Sequence, residues 1–206
     1  MKLYLSSYKI GNETKKLQEL AGKKKIGYIS NALDFSGVDL TKRKQHIQKD
    51  ISALTELSLA VEELDLRDYF GNKQALLTKI HELGGVFISG GNVFVLRQAI
   101  KLSFLDEILL QLHNNKEFLY AGYSAAGCVL YTNLKPYQIV DDATQTPYKE
   151  QKEVIWQGLG ILPYALLPHY KSDHPESEDI DKEVLFCKQN NIPFKTLQDG
   201  EVLIIE

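Results

Sequence analysis

The sequence predicts an α/β fold of three layers, a mostly parallel central sheet held between helices. Two observations carry this. Apolar runs patterned like strands alternate along the chain with stretches whose apolar residues recur every three or four positions. Two of those runs, GGVFIS from Gly84 and FLYAGY from Phe118, break at glycine and turn directly into helical spacing, as buried parallel strands do.

Taken in order, KLYLSS is a short strand, NETKKLQELA a polar helix, and KKIGYISNA a strand with Ile26, Tyr28 and Ile29 as its core. DLTKRKQHIQKDISALTELSL sets Ile47, Ile51, Leu54 and Leu57 on one helix face. VEELDL alternates as a strand, NKQALLTKIHEL returns to helical spacing, and GGVFIS leads through SGGN into a helix with Phe94, Leu96 and Ile100. After the second glycine break, TNLKPYQIVDDATQTPYKEQKE is a polar, turn-rich loop or short hairpin. GILPYALLPHY reads as a further strand ending at the functional edge of the sheet, and SEDIDKEVLFCKQNN as a helix. FKTLQDGEVLIIE reads as two terminal strands around an Asp-Gly turn.

The chain has 206 residues, 44% of them hydrophobic, which suits one well-buried core and a single domain over residues 1–206. A net charge of -3 gives no field favouring nucleic acid or an anionic membrane. No stretch approaches the ~20 apolar residues of a membrane span, and the N-terminus lacks a signal-peptide pattern. Cys128 and Cys187 are too few for a disulfide framework or a zinc site built on cysteine pairs. A cytoplasmic protein acting on small molecules, peptides or protein chains is expected, as monomer or homodimer, without metal or cofactor.

In parallel sheets ligands gather at the carboxyl ends of the strands, where both glycine breaks fall. In YAGYSAAGCVL, Ser124 stands at the second break among small residues, Gly122, Ala125, Ala126 and Gly127. Two readings are open: a nucleophile on a strained strand-to-helix turn, or a helix N-cap. For a nucleophile, the Ala125 N–H, aided by the dipole of the following helix, would stabilise an oxyanion, with Gly91 of SGGN as second donor. The alternative for SGGN is a structural turn, since it lacks the third glycine of a dinucleotide site. Gly90, Asn92 and Tyr170, beside these turns, are the expected substrate contacts.

A serine nucleophile needs a base, and the base an orienting group. His46, His81 and His113 fall in helices among polar neighbours and read as solvated surface residues. His169, where LLPHY ends, is the candidate base, with His174 in reserve. Asp199 of LQDGEV is the candidate acid, and Glu201 and Asp173 compete with it. Tyr137, Tyr148, Trp156, Tyr164 and Tyr170 belong either to a pocket or to core and interface.

FISGGNVFVLRQAI, AGYSAAGCVL, GLGILPYALLPHY and LQDGEVL, with a weaker likeness in IGYISNALDFS, resemble in order and spacing the peptidase E family of aspartyl dipeptidases and their cyanophycin-degrading relatives. The resemblance implies a flavodoxin-like or class I glutamine amidotransferase-like fold. It also implies a metal-free serine hydrolase with Ser124 as nucleophile, His169 as base and Asp199 as acid, Gly91 and Ala125 forming the oxyanion hole, and a short peptide as substrate. Three departures stand out. The elbow reads Ser-Ala-Ala-Gly where Ser-Ala-Gly is common. HPESEDIDKEV is acidic and lacks the arginine suited to a substrate aspartate. Relatives are expected to continue through further strands beyond the position of Glu206. The rival readings are an esterase or amidase on the same triad, a non-catalytic binding or regulatory protein, and, weakest, a cysteine amidotransferase using Cys128.

Overall fold

The computed structural model describes residues 1–35 and 37–206, so the last position of IGYISNALDFS lies outside the described residues. The strands are β1 (Lys2–Ser6), β2 (Ile26–Ile29), β3 (Val61–Glu63), β4 (Gly85–Ile88), β5 (Leu119–Tyr123), β6 (Ala165–Leu167), β7 (Phe194–Thr196) and β8 (Val202–Ile205). The helices are α1 (Thr14–Ala21), α2 (Leu40–Glu56), α3 (Lys73–Glu82), α4 (Val93–Leu102), α5 (Leu105–Leu112), α6 (Ala125–Cys128) and α7 (Ser177–Gln189). The central sheet has the order β3-β2-β4-β5-β1-β8. Its pairs are parallel except that β8 runs antiparallel to β1. This is the mostly parallel, three-layer α/β architecture that the alternating pattern predicts.

Period-two alternation sorts the strand side chains into two cores. Tyr4, Tyr28, Phe87 and Tyr123 pack with Leu17 and Leu20 of α1 and with Ile47 and Leu54 of α2. Leu3, Leu5, Val86, Ile88 and Tyr120 face the opposite side, where α3, α4, α5 and α7 bury their apolar stripes. Helix α4 is buried from Val93 through Ile100, because α5 and the segment after β5 cover what a surface helix would expose. Each fully buried aromatic or large aliphatic side chain stabilises the fold by ~1.5–3 kcal/mol.

Two expectations change. GILPYALLPHY does form a strand, but β6 joins β7 in a separate two-stranded parallel sheet. Gly127 of α6 is the cause of its position: a Cβ there would lie 2.6 Å from Leu166 Cδ2, so the bare backbone lets β6 pack directly on the turn after β5. The two strands around the Asp-Gly turn both form, but in different sheets. β7 bonds β6 while β8 takes the free edge of β1, the chain passing between sheets at Gly200 (φ 95°). The polar stretch after α6 is irregular, with a 3-10 turn at Lys135–Ile139 and an isolated antiparallel bridge between Asn133 and Gln157. Helix α5 was not legible in the sequence, since Phe104 in left-handed conformation (φ 63°) joins it to α4 with almost no punctuation.

Asp50 fastens α2 to the sheet. Its buried carboxylate accepts from Lys9 Nζ at 2.7 Å, Tyr28 Oη at 2.8 Å and Tyr123 Oη at 2.6 Å. His46, one turn earlier, reaches the Tyr123 hydroxyl at 2.8 Å and is half-buried in this network, correcting its reading as a solvated residue. His81 and His113 are exposed, as expected. Burial alone would raise the Asp50 pKa, but the bonds from His46, Lys9 and Tyr123 outweigh it and hold the carboxyl at about 2. A depressed pKa contributes stability that is complete above the unfolded value near 3.8 and is lost as pH falls toward the folded value. Asp50→Asn should therefore cost about 2 kcal/mol near pH 7, with the deficit shrinking between pH 4 and pH 2. Urea unfolding of both proteins across that range checks this; parallel pH curves would contradict it.

Candidate active site

Strand β5 runs between β4 and β1, with Gly122 opposite Leu5 and Ile88. A Cβ at Gly122 would lie 2.3 Å from the Ile88 carbonyl oxygen and 2.6 Å from Ala126 Cβ, so the turn closes only over glycine. The next residue but one, Ser124, has φ 49° and ψ -111°, outside the regions an L-residue prefers. Such a conformation costs ~1–3 kcal/mol and persists because the surrounding structure dictates it. The Ser124 hydroxyl makes no capping bond to the helix that it opens, so the N-cap explanation for this serine has no bond to rest on. Ala126, where an elbow often has glycine, is fully buried over Gly122 and fits.

The helix after Ser124 is a single turn, which corrects the expectation of a helix dipole behind the oxyanion site. It stops because the Val129 and Leu130 carbonyls are taken by the N–H groups of Leu159, Ile161 and Leu162 instead of by another turn. What remains for an anion is the individual backbone donors. Gly91, in the turn between β4 and α4, has φ 136°, and a Cβ on it would sit 2.5 Å from the Ala32 carbonyl oxygen. Among the described residues neither the Gly91 nor the Ala125 N–H has a protein acceptor. Asn92 is committed elsewhere: its side-chain oxygen accepts from the N–H groups of Phe94 and Val95, and its amide donates to the Asp142 carbonyl.

His169 follows β6 in left-handed conformation (φ 59°) and is 2% exposed. Its Nδ1 pairs with Asp199 Oδ1 at 2.7 Å, which leaves Nε2 to carry the lone pair. Ser7, just past β1, joins the two: its hydroxyl accepts from the His169 backbone N–H and donates to Asp199 Oδ1, each at 2.8 Å. The Asp199 N–H donates to Ser172 Oγ at 2.7 Å, holding the turn from the other side. Of the competing acids, Glu201 accepts from the Gln198 N–H at 2.7 Å within its own turn, and Asp173 is exposed. Burial, and then neighbouring His174, lower the His169 pKa against the opposing pull of Asp199.

Ser124, His169, Gly90 and Gly91 line one cleft of about 210 Å³. Its remaining wall includes Tyr8, His46, Tyr123, His174 and Glu176. Tyr170 is not part of that wall; its ring packs against the core and lies under Lys171 Nζ. Behind Ser124 a cavity of about 20 Å³, room for one water, is lined by Asp141, Glu176 and Glu183. Burial pushes Asp141 up to about 7 and raises Glu183 well above the usual carboxylate range. Burial also raises the Cys128 thiol far above its ordinary value, which disfavours the thiolate that a cysteine nucleophile requires.

Sequence reasoning missed Ser7, Tyr8, Tyr123 and Glu176, and misread His46. Ser7 and Tyr8 had a usable signal, since they follow a strand directly at the same carboxyl edge as the two glycine breaks. His46 and Glu176 had none, because a helix face and a helix start are brought to the cleft only by tertiary packing.

The profile of peptidase family S51 matches residues 6–206. An "Uncharacterized peptidase Lmo0363" of Listeria monocytogenes is 28% identical over 129 residues, 62% of this chain and 58% of that protein. "Peptidase E" of Streptomyces coelicolor is 27% identical over 135 residues, 63% of this chain and 52% of that protein. The chain thus matches little more than half the length of these relatives. Among solved structures, a putative peptidase E protein from Listeria monocytogenes superposes with a TM-score of 0.73 at 22% identity, covering 100% of this chain and 98% of that one. A peptidase from an acI-B1 Actinobacterium gives 0.66 at 15% identity, covering 100% and 83%. The fold is thus the flavodoxin-like one of peptidase E, and no helix among the described residues is long and apolar enough to cross a membrane. With a family match spanning nearly its whole length, the chain belongs to peptidase family S51.

Proposed function

We propose that the protein is a serine peptidase acting on short peptides. The observation that carries this is the Asp199–His169 pair, bonded at 2.7 Å, with His169 lining the same cleft as the strained Ser124. Ser124 Oγ attacks the scissile carbonyl carbon as its proton passes to His169 Nε2, and the carbonyl oxygen becomes an anion facing the Gly91 and Ala125 N–H groups. Collapse breaks the C–N bond, and the proton on His169 leaves with the amine. Water then attacks the acyl-serine, giving a proton to His169, and the acid departs as Ser124 regains its proton. Asp199 holds the imidazole with Nδ1 protonated and stabilises its charged form.

Burial of His169 favours the neutral base near pH 7, the state this sequence of steps requires. Among the described residues no arginine lines the cleft, whereas Glu176 does. An aspartate side chain beside the scissile bond therefore meets a carboxylate with no arginine to balance it, and aspartyl specificity is not expected.

Two measurements test this reading. Initial rates on aminoacyl p-nitroanilides and dipeptides bearing Asp, Glu, Leu, Ala, Lys or Arg should show turnover that falls by ~10⁴-fold or more in Ser124→Ala, with Asp no better than Lys. Undiminished turnover in that variant would remove Ser124 from the chemistry. In chelator-treated buffer, kcat/KM should rise with pH through a limb below 6.5 as His169 loses its proton, and His174→Ala should move that limb upward by removing a charge neighbour. A limb unchanged in His174→Ala would show that another group titrates.

A further inference from the structure

His169, His174 and Glu176 each present a ligand atom, and these atoms all lie within 4.8 Å of one another. The two imidazoles are stacked, with ring centroids 3.8 Å apart and planes 12° apart. Glu176 Oε2 is 3.9 Å from His174 Nδ1. Tyr8 packs edge-on against both rings, at 5.9 Å from His169 and 5.4 Å from His174. All three side chains open onto the cleft, which gives an ion a route from solvent.

Two imidazoles and a carboxylate are a donor set suited to zinc, with a fourth position left for water. Ligand atoms around a tetrahedral zinc stand roughly 3.4 Å apart, given bonds of roughly 2.1 Å, and stacked rings hold their lone pairs side by side, so the set closes when the His174 ring turns out of the stack. The surroundings favour it further. A metal-bound histidine ordinarily gives its other ring nitrogen to a carboxylate, and His169 already does so through Asp199 at 2.7 Å. Asp199 is held in turn by Ser7 and Ser172.

We infer that His169, His174 and Glu176 form a zinc site that switches the enzyme off, because a zinc ion on His169 Nε2 occupies the lone pair that would accept the Ser124 proton. No covalent or redox step is involved: the ion and the proton compete for one nitrogen, and a chelator restores the base. The inhibitory half rests on the peptidase reading, whereas the binding half does not.

The test titrates the metal-free full-length chain with Zn²⁺ alone by calorimetry, and with Co²⁺ to read the ligand-field spectrum. One ion per chain is expected, with a tetrahedral or five-coordinate Co²⁺ band and an apparent Kd raised at least ~10-fold in His174→Ala and in Glu176→Gln. Thermal melts establish that both variants are folded, and Glu176→Gln keeps the side-chain shape should His174→Ala disturb the ring stack. In wild type, turnover should fall over the same zinc range and return on adding EDTA. Absence of stoichiometric binding, or binding indifferent to both substitutions, would overturn the site. Binding at this site with turnover undiminished would overturn the switch. A protein that binds zinc here yet turns over no substrate in EDTA would retain the site and refute the peptidase reading instead.

Discussion

The Asp199–His169 hydrogen bond, with Ser7 bridging its two ends, is the contact on which the functional end of the molecule depends. It joins three segments that the sequence holds far apart: the residue after β1, the end of β6, and the turn between β7 and β8. None of these is positioned locally. Ser7 is set by β1, between β5 and the edge strand β8, His169 by β6 packing on Gly127, and Asp199 by a chain that must leave β7 in one sheet and enter β8 in the other. The pairing of β8 with β1 therefore serves the site as much as the sheet.

A second constraint acts on Ser124 from the opposite face. Tyr123, immediately before it, points its ring into the layer of α1 and α2, where Asp50 receives its hydroxyl. The strained turn lies between a buried tyrosine anchored to a carboxylate and a short helix pressed against β6. Backbone strain at the serine is thus balanced by burial on both sides of the sheet, which is how an unfavourable φ persists in a folded protein.

The parts of this arrangement that were legible in the sequence are those written in local pattern. Apart from α5, the strands and helices up to β5 show as alternating periodicity, and the glycine-rich breaks mark the carboxyl edge where Ser124, Gly90 and Gly91 gather. His169 and Asp199 were legible as residues closing apolar strands. The assignment of β6 and β7 to a second sheet was not, because a three-residue strand carries no record of its partner. His46 and Glu176 reach the cleft from a helix face and a helix start, where sequence neighbours say only that the residue is polar or exposed. Ser7 reads as one of two serines after a strand, and only the fold shows it bonded to both ends of the His169–Asp199 pair.

Covalent labelling tests, without knowledge of the substrate, whether Ser124 is an activated nucleophile served by His169. Chelator-treated wild type, Ser124→Ala and His169→Ala would be incubated with a fluorophosphonate and followed by intact mass. One adduct per wild-type chain, mapped to the peptide containing Ser124, absent in Ser124→Ala and slowed by orders of magnitude in His169→Ala, is the predicted result. An adduct that survives Ser124→Ala, or none on any protein, would contradict it.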